Sequence, residues 1–109
     1  MAAEIFSKTL ENGMVIVGEP TKALESAAFT FLAPAGCCFD SPGRAGLASL
    51  TGEMMRRGAG PRDRRAWVSD LENLGGDRGD SVRAAHSTYI GQTLRDTVST
   101  WLRLFRTLF

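Results

Sequence analysis

The sequence predicts an α+β fold, an antiparallel-rich sheet with helices packed on one face. Two observations carry this. Period-two alternation marks the segments near residues 4–18, 26–33 and 84–94, whereas helical spacing marks those near 47–55, 63–74 and 96–109. The resulting order, β-β-β-α-α-β-β-α, excludes a strictly alternating β-α-β architecture.

Each element has a local cause. EIFSKTL (4–10) and MVIVG (14–18) flank Glu11-Asn12-Gly13, and Asn-Gly between apolar runs is a strong hairpin signal because both residues tolerate positive φ. Pro20 and Thr21 open a loop. SAAFTFLA (26–33) sets Ala27, Phe29, Phe31 and Ala33 against Ala28, Thr30 and Leu32, a strand covered on at least one face and expected near the middle of a sheet. PAGCCFDSPGRAG is turn-rich and ends in helix-start chemistry, with Asp40 or Ser41 as N-cap and Pro42 in the first turn. Leu47, Leu50, Met54 and Met55 then form the stripe of a helix packed on a sheet, and Gly58-Ala59-Gly60-Pro61 stops it.

A second helix begins at the N-cap Asp63, presents Trp67, Val68, Leu71 and Leu74 on one face, and closes at Gly75-Gly76. Residues 77–83 are polar enough for an exposed strand. Residues 84–94 alternate His86, Thr88, Ile90, Gln92 and Leu94 with Ser87, Tyr89, Gly91 and Thr93, which predicts another strand. From Asp96, Val98, Trp101, Leu102, Phe105, Leu108 and Phe109 form an amphipathic helix whose apolar end needs cover. The expectation is therefore the first part of a longer domain, or a protomer that completes its core with a partner.

Composition sets wider bounds. The 109 residues are 43% hydrophobic and 23% charged with a net charge of +1, values of an ordinary globular chain. That balance suggests neither nucleic acid nor an anionic membrane as partner, and no apolar run approaches the roughly 20 residues of a membrane span. The N-terminus lacks the apolar core of a secretory signal, so a cytoplasmic protein is expected. The adjacent Cys37 and Cys38 point to opposite sides of an extended chain and read as reduced, partly buried thiols.

TLENGMVIV (9–17), AGCCFDSPGRAGLASL (35–50) and LENLGGD (71–77), in that order, resemble the N-terminal half of a pitrilysin/insulinase-family zinc peptidase domain. The mitochondrial processing peptidase and the core subunits of the cytochrome bc1 complex belong to that family. The resemblance covers residues 5–109 and implies that residues 1–109 are the first part of a single peptidase-like domain. Active members carry His-x-x-Glu-His on the motif helix, two histidines binding zinc and the glutamate activating water. Here Gly46-Leu47-Ala48 matches the approach to the motif, but the histidine positions fall on Ser49 and Glu53 and the base position on Gly52.

Catalytic zinc takes three protein ligands and an open water position. A neutral hydroxyl, a missing side chain and one carboxylate do not supply them, and the family's downstream glutamate would fall beyond Phe109. No cofactor and no enzymatic activity are expected, zinc belonging to the active relatives. What the resemblance implies is a non-catalytic homologue, a structural or peptide-binding partner of an active subunit in a homo- or hetero-oligomer. In such a pair an extended peptide lies against an exposed strand edge. The alternatives are part of an active zinc metalloendopeptidase with catalytic residues outside this chain, and a scaffold subunit of a larger complex.

Two further features carry weaker chemistry. Ser49 has no Gly-x-Ser-x-Gly frame, and His86 is the only histidine available to serve it as a base. Arg56, Arg57, Arg62, Arg64 and Arg65 form a positive patch around a Gly/Pro turn, which reads as a solvated helix end or as a contact for an acidic partner. No aromatic residues interleave these charges to stack on bases.

Overall fold

The computed structural model describes residues 4–107. β1 (Phe6–Thr9) and β2 (Val15–Gly18) form the expected antiparallel hairpin. Gly13 takes φ 85°, and the Asn12 side chain accepts from the Met14 amide at 3.1 Å. This ribbon is exposed along almost its whole length, Ile5, Phe6, Val15 and Val17 included. The radius of gyration is 15.7 Å, above the roughly 13 Å of a compact chain of this length.

The central sheet has three antiparallel strands in the order β3-β7-β6: β3 (Ser26–Ala33), β7 (Ser87–Leu94) and β6 (Asp77–Val82). Among the described residues β3, expected near the middle of a sheet, pairs with β7 alone, and β7 is central. Its alternation is as the pattern predicts, with Ala27, Phe29, Phe31 and Ala33 half-buried and Ala28, Thr30 and Leu32 exposed. On β7 the buried set is Ser87, Tyr89, Gly91 and Thr93. His86 precedes the strand, in the β6–β7 turn, because the turn carries the chain to residue 86 before pairing with β3 begins.

Helices cover one face of this sheet. α2 (Arg64–Asn73) starts where Asp63 accepts from the Ala66 amide at 2.8 Å, and Gly75 follows its end with φ 68°. Its inward face is Trp67, Val68, Leu71 and Leu74, as the spacing predicts. α3 (Val98–Arg106) buries Trp101 and Phe105. Phe29 stands edge-on to Trp101 at 4.9 Å and to Phe105 at 5.4 Å, while Tyr89 meets Phe105 at 6.0 Å. Fully burying a side chain of this size is worth about 1.5–3 kcal/mol, so these aromatics dominate the fold's stability. Gly91 is required beneath them, because an added Cβ would press on the rings of Phe29 and Trp101.

Several expectations need correction. Leu102 on α3 faces outward and Leu104 packs inward in its place; the predicted contacts of Leu108 and Phe109 lie outside the described residues. α1 (Leu47–Met55) is tilted away from its predicted stripe: Leu47, Leu50 and Met54 are exposed, and Ala48, Gly52 and Met55 turn inward. Small Gly52 lets the helix lie close to β6, a gain that an apolar-stripe argument does not register. Neither Asp40 nor Ser41 is the N-cap residue, since α1 begins after Gly46. Asp40 still serves the helix from a distance, taking the Gly46 and Ala48 amides at 3.0 and 2.9 Å. Both cysteines are free and exposed rather than partly buried, because the Cys37 and Cys38 amides anchor a single 3-10 turn (Cys37–Phe39) on the β6–β7 turn by bonding Arg83 and Ala84 carbonyls. Between α1 and α2 a short ribbon, β4 (Gly58–Ala59) with β5 (Arg62–Asp63), replaces the simple loop expected there.

Candidate functional site

The degenerate motif positions sit on α1 where it crosses β6. Gly52 is buried, and an added Cβ would stand 3.0 Å from Val82 Cγ2. Ser49 is exposed. The Glu53 carboxylate is ion-paired with Arg56 and lies 3.4 Å from Arg57 Nη2, while Arg56 Nε is 3.4 Å from Asp80 Oδ1 on β6. Glu53 is therefore held between two guanidinium groups, in the opposite electrostatic setting from a free metal ligand. A zinc ion does not fit this set: the hydroxyl of Ser49 is a poor ligand, Gly52 supplies nothing, and Glu53 is already neutralised. Among the described residues, no group of three or more His, Cys, Asp or Glu side chains is placed to hold a metal ion.

The arginine patch is resolved into separate roles. Arg56 and Arg57 share Glu53, and Arg62 donates to Asp70 at 2.6 Å. The ion pairs found among the described residues do not include Arg64 or Arg65. These pairs are half-exposed, so each is worth only a few tenths of a kcal/mol to about 1 kcal/mol. A sixth arginine was not singled out by the sequence. Arg78 of β6 lies 4.4 Å over the Trp67 ring, and burial, then the charge of Arg56, pulls its pKa below the usual arginine value. Its signal was the charged alternation of DRGDSV, which marks a strand with both polar and covered positions.

Hydrogen-bond parity defines what the edge of β6 offers. Arg83 donates to the His86 carbonyl at 2.9 Å, in register with the β6–β7 ladder. Alternation along an antiparallel pair then turns the N–H and C=O of Asp77, Gly79 and Ser81 toward β7 and those of Arg78, Asp80 and Val82 away from it. Among the described residues β6 pairs with β7 alone. The Arg78 amide is taken by the Asp77 carboxylate at 2.8 Å. The side chains of Arg78, Asp80 and Val82 share the helix-covered face, since they stand opposite Gly91, Tyr89 and Ser87. The site is thus a polar sheet edge with the motif helix along one side. Two surface depressions, of about 510 and 490 Å³, lie elsewhere, at the β1–β2 turn and beside residues 19–28.

No family model matches the sequence, and no curated protein matches it. Solved structures do. The chain superposes on the inactive domain of a peptidase M16 from Pseudomonas fluorescens with a TM-score of 0.87, at 23% identity over 96% of this chain and 26% of that one. A protease from Helicobacter pylori matches with a TM-score of 0.86, at 19% identity over 98% of this chain and 26% of that one. The fold is that of a peptidase M16 domain. The α+β architecture expected from the sequence is thereby shown, and the chain spans about a quarter of the length of the solved chains it matches. No helix among the described residues is long and apolar enough to cross a membrane.

Proposed function

We propose that this chain is a non-catalytic peptidase-fold protein that holds an extended peptide along the free edge of β6, in partnership with an active peptidase-type subunit. The observation that carries the reading is a conjunction. A strand edge with outward backbone groups at Asp80 and Val82, and the outward carbonyl of Arg78, runs beside a motif helix whose chemistry is gone at Ser49, Gly52 and Glu53. Likeness to an inactive M16 domain supports it. Main-chain hydrogen bonds to the edge supply affinity in this mode, and alternate side chains supply selectivity. A peptide laid here would rest every second side chain toward α1, near Arg56 and Glu53.

The test uses a labelled unstructured peptide and two N-methylated forms of it, each methylated on one alternate set of residues. One form should lose binding in fluorescence anisotropy and the other keep it, because only one set faces the strand. Equal binding by both forms, or no saturable binding of the parent peptide, would refute edge capture.

A second reading is favoured by the match to a Helicobacter pylori protease: the chain acts within an active zinc peptidase whose catalytic residues lie outside it. Peptide cleavage by this chain alone that stops on adding a chelator would defeat the non-catalytic reading. Cleavage only after mixing with a second subunit would fit the partnership.

A further inference from the structure

Cys37 and Cys38 have no part in peptide capture, and the fold holds them differently from an extended pair. Along a strand, adjacent side chains point to opposite faces. In the 3-10 turn Cys37–Phe39 they stand about 120° apart around the turn axis, and both thiols are free and exposed. The turn is fixed at several points. The Cys37 and Cys38 amides donate to the Arg83 and Ala84 carbonyls at 3.0 and 2.8 Å, and the Phe39 and Asp40 amides close onto the Gly36 and Cys37 carbonyls at 3.1 Å each. Gly36 is buried so close to the β6–β7 turn that an added Cβ would meet the Ala84 and Ala85 backbone.

We propose that Cys37 and Cys38 form a two-thiolate site for a soft monovalent cation, copper(I). What the pair can close on follows from length. Their Cα atoms are joined by one trans peptide, a spacing of about 3.8 Å, below the roughly 4.4–6.8 Å that an ordinary disulfide spans. A direct S–S bond is therefore disfavoured and the pair stays reduced. One metal ion between the sulfurs replaces a bond of about 2.05 Å with two of about 2.3 Å, and the ring closes without that constraint. Donor count then chooses the ion. His86 lies in the turn that anchors the cysteines, yet among the described residues no three His, Cys, Asp or Glu side chains are placed to share a metal. Zinc takes four ligands and is not served by two. Copper(I) accepts two-coordination, and thiolate is the soft donor that selects it. Binding converts two thiols and one Cu⁺ into a bis-thiolate of charge −1 and two released protons. The inference rests neither on a free strand edge nor on peptide binding at β6.

Copper(I) itself is the probe, offered to the intact chain without oxygen as its coloured bicinchoninate complex. The chain should withdraw one equivalent, read as loss of colour, and X-ray absorption should count two sulfur neighbours. Cys37→Ser and Cys38→Ser should each weaken binding by about a hundredfold or more, since the second donor then no longer comes from the same chain. Both residues are exposed, so the metal-free variants should unfold at the parent's temperature. His86→Ala should bind copper as the parent does. Phenylarsine oxide, which bridges two thiols through one arsenic, should add to the parent and to neither serine variant, an outcome that needs no copper. A serine variant that competes as well as the parent overturns the proposal. So does zinc held as tightly as copper(I), a loss of affinity in His86→Ala, or quantitative conversion of the pair to a disulfide by oxidised glutathione, seen as a mass loss of two hydrogens.

Discussion

β6 and β3 flank the same central strand, and each hydrogen-bonds to it in full. They differ in what they turn outward. β6 is DRGDSV, with Asp77, Arg78 and Asp80 on it and Arg56 held against Asp80. β3 has no charged residue. Charge on an edge strand limits unselective pairing, and an uncharged edge lacks that protection. The difference teaches that two strands flanking one central strand can offer the same kind of backbone groups and differ only in the side chains around them.

The comparison breaks most completely if the strand and helix that hold both edges are lost. Trp101 is fully buried against Phe29 and Phe105. Trp101→Ala should cost about 3–5 kcal/mol, read as a lower urea midpoint, and both edges should fail together. A variant that unfolds one edge only would show that the sheet is not one cooperative unit. Next comes a matched pair on β6. Ser81→Pro removes a donor that faces β7 and should destabilise by about 1–3 kcal/mol, the price of an unmet buried partner. Asp80→Pro removes an outward donor and a half-exposed ion pair, so it should cost about 1 kcal/mol or less, yet abolish peptide capture in the anisotropy assay. Equal destabilisation by the two prolines would contradict the parity assigned to β6.

Tyr89 allows a finer measurement. It is the only tyrosine of the chain, so phenolate absorbance reports it alone. Burial, and then the charge of Asp80, raises its pKa above the ordinary 10.0. A raised phenol pKa means the fold prefers the neutral form. This contribution to stability is present below the unfolded value and is lost as pH rises through the folded one. Tyr89→Phe should remove that alkaline loss, and Asp80→Asn should move the titration back toward 10.0. An unchanged midpoint in Asp80→Asn would place Asp80 too far away to act. The smallest effect is expected at Glu53: Glu53→Gln should change stability by about 1 kcal/mol or less, and the change should fade with added salt, as screened surface pairs do.

Much of this organisation is legible in the residues. Asn12-Gly13, the Asp63 cap and the Trp67-Val68-Leu71-Leu74 face are local signals, and local physics decided them. What escaped was decided by tertiary geometry. The stripe of Leu47, Leu50 and Met54 has the right spacing to pack on a sheet, but buried Gly52 and its contact with Val82 turn the helix another way. An alternating pattern is the same in an edge strand and a central one, so the sequence shows which residues of β3 face inward but not which strands flank it. At the motif, the loss at Ser49, Gly52 and Glu53 was visible in sequence. The role that Glu53 has instead, between Arg56 and Arg57, was not, because helical neighbours at three and four residues show only opportunity.

The register of β3 has a consequence for how the chain is made. Ser26 meets Leu94 and Ala33 meets Ser87, so among the described residues the one strand that pairs with β3 lies late in the sequence. Closing so wide a loop precedes any reward from the ladder, which makes this pairing slow. On the ribosome, SAAFTFLA leaves the exit tunnel with neither flank satisfied and waits through the synthesis of two helices and β6. Chaperone demand and inclusion-body formation should therefore track the translation speed of residues 34–94 more than the stability of the finished fold.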